Sequence, residues 1–430
     1  MAEDRMDAIV VGAGPAGSAA AITLARAGLE VLLVERGTVA GCKNMTGGRL
    51  YSHALHRLIP EFWKTAPVER RVTRELITFL TPESAISLDF KSSRFDQNSY
   101  TVLRARLDPW LAEQAEAAGA MLACGVKVDD LLVENGRVVG VRCGEDEMYA
   151  NVVIIAEGAN CLLPRKAGLR AREIDPHQIA TGVKTTLELP RQVIQDRFNL
   201  AGDEGAAQLF VGSVTRGLPG GGFLYTNKET ISLGLVITVT GMIHHQVRPA
   251  DLMEEFKQHP AIVPLIEGGK VVEYSAHLVP EGGVHMMPQV TGDGILVVGD
   301  AAGLVLNLGY TVRGMDFAIA SGMHAAETVI EAKTQGDFTR SGLAGYEQRL
   351  KESFVLRELE FYKQAPAFIE STPRMFNTYP GMIESILSRM FTVDGVTPPA
   401  HVGQIAMSAA RSRVSLWQLG MDAWKGGRTL

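Results

Sequence analysis

One stretch constrains this chain more than any other: Asp7-Ala-Ile-Val-Val-Gly12-Ala-Gly14-Pro-Ala-Gly17. A short apolar run ends in closely spaced glycines, an alanine-rich segment follows to Gly28, and a second apolar run closes at Glu35. The order predicts a buried strand, a helix from about Pro15 to Gly28, and a second strand over Glu30–Glu35, the βαβ unit that binds dinucleotides. Each glycine has its own task. Gly12 permits the tight turn, Gly14 leaves the backbone open to a pyrophosphate, and Gly17 lets the helix lie close on the sheet. The helix N-terminus offers free N–H groups to phosphate, and Glu35 is placed to accept hydrogen bonds from ribose hydroxyls.

A second motif, Gly292-Asp-Gly-Ile-Leu-Val-Val-Gly299-Asp300-Ala-Ala-Gly303, reads as another buried strand ending in Gly-Asp. An aspartate there can hold a polyol hydroxyl. FAD carries a ribityl chain and nicotinamide dinucleotides do not. The motif resembles the Gly-Asp signature of FAD proteins of the glutathione-reductase type.

At 430 residues the chain exceeds one ordinary core, so two or three lobes are expected. With 46% hydrophobic and 21% charged residues it is a folding sequence, and a net charge of −6 argues against nucleic-acid binding. The first strand begins within a few residues of Met1, which leads us to expect no leader peptide. No apolar run is long enough to span a bilayer. A cytoplasmic chain is expected, with peripheral contact at the inner face of the membrane left open. Cys42, Cys124, Cys143 and Cys161 are scattered without ligand spacing, so neither a zinc site nor an iron–sulfur cluster is expected.

Beyond Glu35, a loop from Arg36 to Tyr51 is dense in glycine and donors, among them Lys43, Asn44, Thr46, Gly47 and Gly48. Such loops bring backbone N–H groups against a ligand. Residues 50–75 are read as helical, and Glu75–Asp89 as a strand pair broken at Thr81-Pro82. Asp108 and Pro109 read as the N-cap and first residue of a helix ending at Gly119, with Arg104 and Arg106 just ahead of it. Asn135-Gly136 marks a hairpin. Alternation in Ile179–Leu189 and Glu229–Thr240 predicts antiparallel strands of a second lobe. Gly309-Tyr310-Thr311, at the start of a helix over Met315–Lys333, is expected to aim N–H groups at a flavin ring edge. The remainder reads as mostly helical, with Tyr346, Leu350, Phe354, Phe361 and Tyr362 as a packed stripe.

Several longer segments carry a family resemblance: Gly41-Cys-Lys-Asn-Met-Thr-Gly-Gly-Arg-Leu-Tyr51, Ser99–Arg104 with Leu107–Leu111, Gly220-Gly-Gly-Phe-Leu-Tyr-Thr-Asn-Lys228, Tyr274-Ser-Ala-His-Leu-Val-Pro-Glu-Gly-Gly283 and Thr311–Asp316. Together they resemble the FixC-type flavoprotein subunit of the electron-transfer-flavoprotein:quinone oxidoreductase family. The resemblance implies non-covalent FAD, reduction by a two-subunit electron-transfer flavoprotein, and delivery of electrons to a quinone. Mitochondrial members carry a cysteine-ligated cluster in their C-terminal part. This chain has no cysteine after Cys161, and the Fix-type arrangement implies a separate small ferredoxin-like partner.

The expected fold is α/β, a Rossmann-type FAD-binding domain with an antiparallel-sheet substrate domain and a helical C-terminal region. FAD-binding parts are expected at residues 1–75, 100–175 and 288–333, the quinone domain at 76–99 and 176–287, and the helical region at 334–430. The expected FAD contacts are Gly12, Gly14, Pro15, Ala16, Gly17, Glu35, Arg36, Lys43, Asn44, Thr46, Gly47, Gly48, Arg104, Val128, Ala156, Gly158, Gly299, Asp300, Gly309, Tyr310 and Thr311. Tyr274, His277, Gly221 and Phe223 are candidates for the quinone site. No catalytic acid–base pair or metal site stands out. The apolar stretch Phe223–Tyr225 is the first candidate for a membrane-docking loop, and the basic–aromatic segment around Trp417 and Trp424 the second. Two other readings stay open: an NAD(P)H-dependent reductase or hydroxylase of the geranylgeranyl-reductase type, and a flavin-bearing assembly subunit.

Overall fold

The computed structural model describes residues 5–42, 48–170 and 173–430. Two sheets organise it. The first has the parallel order Ile295–Val297, Asp146–Ile155, β1 (Arg5–Val11), β2 (Val31–Glu35) and Met121–Cys124. An antiparallel ribbon, Asp130–Glu134 with Arg137–Cys143, joins it through the outer half of Asp146–Ile155. Its turn is Asn135-Gly136, both at positive φ (50° and 82°), as a tight hairpin requires. Ile9, Val10, Val153, Ile154 and Leu296 are fully buried, as the strands of a parallel sheet covered on both faces are.

The helix α1 (Pro15–Arg26) packs on the helix Met315–Gln335 at unusually close range. A Cβ at Gly322 would lie 2.1 Å from the carbonyl oxygen of Ala16. Small residues at this crossing hold both helix N-termini against the same end of the sheet.

The second sheet runs Lys270–Pro280, Ile179–Glu188, Thr230–Thr238, Gly220–Thr226, Glu204–Gly212, Val68–Leu80, Ser99–Val102 and Arg49–Tyr51, with Ala85–Lys91 pairing Val68–Leu80. It is antiparallel except where Glu204–Gly212 meets Val68–Leu80. The strand Val68–Leu80 crosses the boundary expected at residues 75/76. Six further helices, from Gly345–Glu352 to Leu416–Thr429, complete the chain.

Three local expectations are corrected. Only Ser52–Leu58 forms an α-helix within residues 50–75, because Val68 onward is claimed by the second sheet. The helix expected from Pro109 begins at Arg104, so Pro109 is an interior residue, and the intrahelical bond its missing N–H would have made to the Ala105 carbonyl is absent. Asp108 is therefore a helix residue bonded to Arg104, not a cap. In the C-terminal stripe Tyr346 and Leu350 are fully buried, whereas Phe361 is 80% exposed.

Candidate functional site

A cavity of about 700 Å³ lies between the C-terminal ends of the parallel strands and the face of the second sheet. Ligands in open α/β folds sit beyond those strand ends. Gly12, Gly14, Pro15 and Ala16 line one end. Gly12 has φ +108°, and a Cβ there would be 2.4 Å from Ala156 O. A Cβ at Gly17 would be 1.8 Å from Gly12 O, so Gly17 lies behind the wall and serves packing. Gly14 is different. Its missing Cβ would point into open space with only Arg104 Nη2 near, at 3.7 Å. The backbone is therefore bare at the one place where a phosphate must approach it.

Arg104 stands over that turn. Its Nε and Nη2 each donate to Asp108 at 2.6 Å, and Asp108 is completely buried. Burial works against the guanidinium charge, and Asp108 more than offsets it, so Arg104 is held above its ordinary value and stays charged. Glu35 ends β2 with Oε2 accepting from Ala13 N at 3.0 Å and Oε1 from Gly37 N at 2.7 Å. These bonds fix the carboxylate on the cavity wall with lone pairs to spare for ribose hydroxyls. Arg36, Gly48, Val128, Ala156 and Gly158 also line the cavity.

Asp300 reaches the same space from a 3₁₀ turn, Gly299–Ala302. Burial pushes its carboxyl up, against the pull of Arg104 and His277. Gly299 itself is buried behind the wall, its N–H donating to Ser321 Oγ at 3.0 Å. Glycines free of side chains, a charged arginine above them and two carboxylates along the wall form the donor and acceptor set that a flavin dinucleotide needs.

The Gly309-Tyr310-Thr311 turn departs from expectation. It closes a hairpin, Leu306–Asn307 with Val312–Arg313, ahead of the helix that starts at Met315. Leu308 N donates to Thr311 O and Gly309 N to Asn307 Oδ1, both at 2.9 Å, so these two N–H groups are already engaged. Gly309 and Tyr310 line the cavity; Thr311 does not. Tyr310 Oη donates to Leu430 O at 2.9 Å, which brings the final helix over this mouth. Lys43, Asn44, Thr46 and Gly47 lie outside the described residues.

The other end of the cavity is a bed of small and aromatic residues. Gly182, Gly221, Phe223 and Tyr225 pave it. The Phe223 ring lies over Gly234, where a Cβ would meet it at 2.3 Å, and stacks on Tyr225 with centroids 5.3 Å apart. The expected docking loop is thus a strand, Gly220–Thr226, and Leu224 is fully buried. Its apolar residues serve the core and the cavity, because alternate residues of a strand face opposite sides. The same parity separates the two histidine-motif candidates. His277 points into the cavity, and Tyr274, three residues away, is 50% exposed on the outer face. Tyr274 is corrected accordingly.

The structure also gathers residues that sequence reasoning did not single out. Asp108, expected as a cap, is a cavity-wall residue bonded to Arg104. Lys184, 2% exposed, lines the cavity on Ile179–Glu188 and pairs with Glu273 at 3.0 Å. Glu281 and Asn307 bond at 2.9 Å in the cavity wall. The alternation of Glu273, Ser275, His277 and Val279 was the available signal for the inward face of that strand.

Three family models match: FAD dependent oxidoreductase over residues 7–205, ETF-QO ubiquinone-binding over 203–279, and the ETF-QO/FixC family C-terminal domain over 365–430. The chain is 54% identical to a probable electron transfer flavoprotein-quinone oxidoreductase, YdiS, of Escherichia coli K12, over the full length of both. It is 51% identical to Protein FixC of the same strain, covering 93% of each chain. Among solved structures, a geranylgeranyl bacteriochlorophyll reductase-like protein from Thermoplasma acidophilum superposes with a TM-score of 0.73 at 21% identity, over 95% of this chain and 96% of that one. The halogenase CndH follows with a TM-score of 0.65 at 19% identity, over 95% and 96%. These two likenesses establish the flavoenzyme fold.

Proposed function

The chain belongs to the ETF-QO/FixC family and is an FAD-dependent oxidoreductase, and on that premise we propose that it takes electrons from a two-subunit electron-transfer flavoprotein and passes them to a quinone. The carrying observation is one cavity with two chemically distinct ends. The Gly14–Arg104 end suits a pyrophosphate; the Gly221–Phe223–His277 end falls inside the segment matched by the ubiquinone-binding model. Bound FAD supplies reversible two-electron redox chemistry. The chain's own residues bind and orient. Gly14 leaves room for phosphate, Arg104 offsets its charge, Glu35 accepts from ribose hydroxyls and Asp300 from a ribityl hydroxyl. Gly182, Gly221 and Phe223 offer a flat apolar bed to a quinone ring.

A small ferredoxin-like iron–sulfur protein completes the proposed assembly. The support for it is the family resemblance, together with a sequence that has no cysteine after Cys161. No helix among the described residues is long and apolar enough to cross a membrane. A quinone with a long apolar tail calls for a peripheral face. With Leu224 in the core, the segment that supports this role is Leu416–Thr429, where Trp417 is 75% exposed and Arg428 lies 4.9 Å from the Trp424 ring centroid.

The test is donor choice. The purified flavoprotein is offered reduced electron-transfer flavoprotein, NADH or NADPH, with a short-tailed ubiquinone as acceptor. Quinol formation from the flavoprotein donor alone is expected. Rapid flavin reduction by a nicotinamide donor would overturn the reading in favour of a reductase or hydroxylase.

A further inference from the structure

Glu281 follows the strand Lys270–Pro280, just past the inward-facing His277 and Val279, and lines the cavity. Its backbone N–H donates to Gln178 O at 2.8 Å. Its Oε2 accepts from Asn307 Nδ2 at 2.9 Å, and Asn307 Oδ1 in turn accepts from Gly309 N at 2.9 Å. Carboxyl, amide and turn form one connected line. It runs from the edge of the second sheet to the hairpin that carries Gly309 and Tyr310 into the cavity, so Glu281 stands where the dinucleotide end meets the apolar bed.

We propose that Glu281 is the group that gives a proton to the quinone oxygen as the quinone is reduced. The assignment rests on the quinone reading above. Reduction to the quinol adds two electrons, from the reduced flavin, and two protons. The Glu281 O–H bond breaks as the O–H bond of the facing quinone oxygen forms, leaving a carboxylate that the Asn307 N–H stabilises. The far carbonyl takes its proton from bulk solvent, and a further solvent proton restores the Glu281 carboxyl.

The electrostatics fit this duty. Burial pushes the Glu281 carboxyl up to about 7, with the Asn307 hydrogen bond as the opposing influence. A carboxyl that holds its proton near neutrality can give it and take it back. The charged groups on the neighbouring elements have interactions of their own, and the Asp300 carboxyl, also in the cavity wall, is set against Arg104. His277, on the same strand, bonds Leu278 O and acts on Asp300. Arg313, on the hairpin, is bonded by Asp316 and Glu358. His177, beside Gln178, is bonded by Glu370.

The experiment isolates the oxidative half-reaction. FAD-loaded protein is photoreduced under argon and mixed with decylubiquinone, which needs protons, or with ferricenium, which needs none. E281Q is expected to lose about a hundredfold or more of its quinone rate, with FAD content, visible spectrum and ferricenium rate unchanged. E281D is expected to recover part of the loss. The parent's quinone rate is expected to fall as pH rises through neutrality. N307A, which removes the donor favouring the carboxylate, is expected to move that fall to higher pH, a shift that a merely structural role would not produce. A parent that reduces ferricenium but no quinone would refute the functional reading and this assignment with it. A parent active on both, with an E281Q rate equal to its own, would overturn the assignment alone. Should E281Q not retain flavin, the parent and N307A profiles decide: a flat parent profile, or an unmoved limb in N307A, overturns it.

Discussion

Arg104 and Asp108 sit one helical turn apart, joined by two bonds of 2.6 Å, with the aspartate wholly buried and the arginine beside the bare backbone of Gly14. The carboxylate holds a positive charge aimed at the place where a dinucleotide's own negative charge would rest. This is why a helix that begins at Arg104 matters more than one that begins at Pro109.

Replacing Arg104 with Gln is expected to weaken FAD binding by about tenfold to a hundredfold, the worth of a lost charged hydrogen bond. Ultrafiltration of the loaded protein measures it. Asp108→Asn leaves the guanidinium buried without its counter-charge, and denaturant melts are expected to show a loss of about 3 kcal/mol or more. Full stability in D108N would mean that the pair contributes little.

Gly14 and Gly17 are expected to fail differently. Gly14→Val adds a side chain to open cavity, so the protein should fold normally and purify without flavin. Gly17→Ala drives a Cβ into Gly12 O, and its loss should appear first as poor folding. Circular dichroism alongside flavin absorbance separates the two, and a yellow, fully loaded G14V would refute the placement.

The strand Gly220–Thr226 offers a contrast between neighbours. Leu224→Ser puts a hydroxyl in a closed core and is expected to cost about 3 kcal/mol. Phe223→Ala faces the cavity and is expected to fold, with the apparent KM for quinone raised. Equal melting temperatures for both variants would contradict the parity seen here.

Glu281 also has a stability signature. Its carboxyl titrates near 7 in the fold and near 4.5 when free, so the folded state holds the proton more tightly. That contribution is fully present below 4.5 and is lost as pH rises through 7. E281Q, which cannot ionise, is therefore expected to gain in melting temperature relative to the parent between pH 5 and pH 8. A constant difference across that range would show that the group is not shifted upward.

Trp417→Ser with Trp424→Ser is expected to reduce flotation with anionic liposomes while leaving FAD content and the activity toward short-tailed quinone intact. Undiminished flotation would remove the Leu416–Thr429 helix as the membrane-facing element.

The sequence alone determined the βαβ unit, because its glycines report backbone constraints that no other residue satisfies: φ +108° at Gly12 and a 1.8 Å approach at Gly17. It likewise determined the Asn135-Gly136 hairpin and the Gly299-Asp300 turn, which are local backbone events. The alternating strands of the second lobe were legible for the same reason of short-range periodicity. Only the tertiary structure decided the rest. Whether Phe223–Tyr225 was a loop or a strand, and which of Tyr274 and His277 faced inward, depended on pairing partners far away in the chain. The Glu281–Asn307 and Arg104–Gly14 contacts join residues 26 and 90 positions apart, and no local pattern encodes a meeting of that kind. Burial then gave Asp108 and Glu281 their chemistry, since a carboxylate's role is set by the charges and the water that the fold brings to it or takes away.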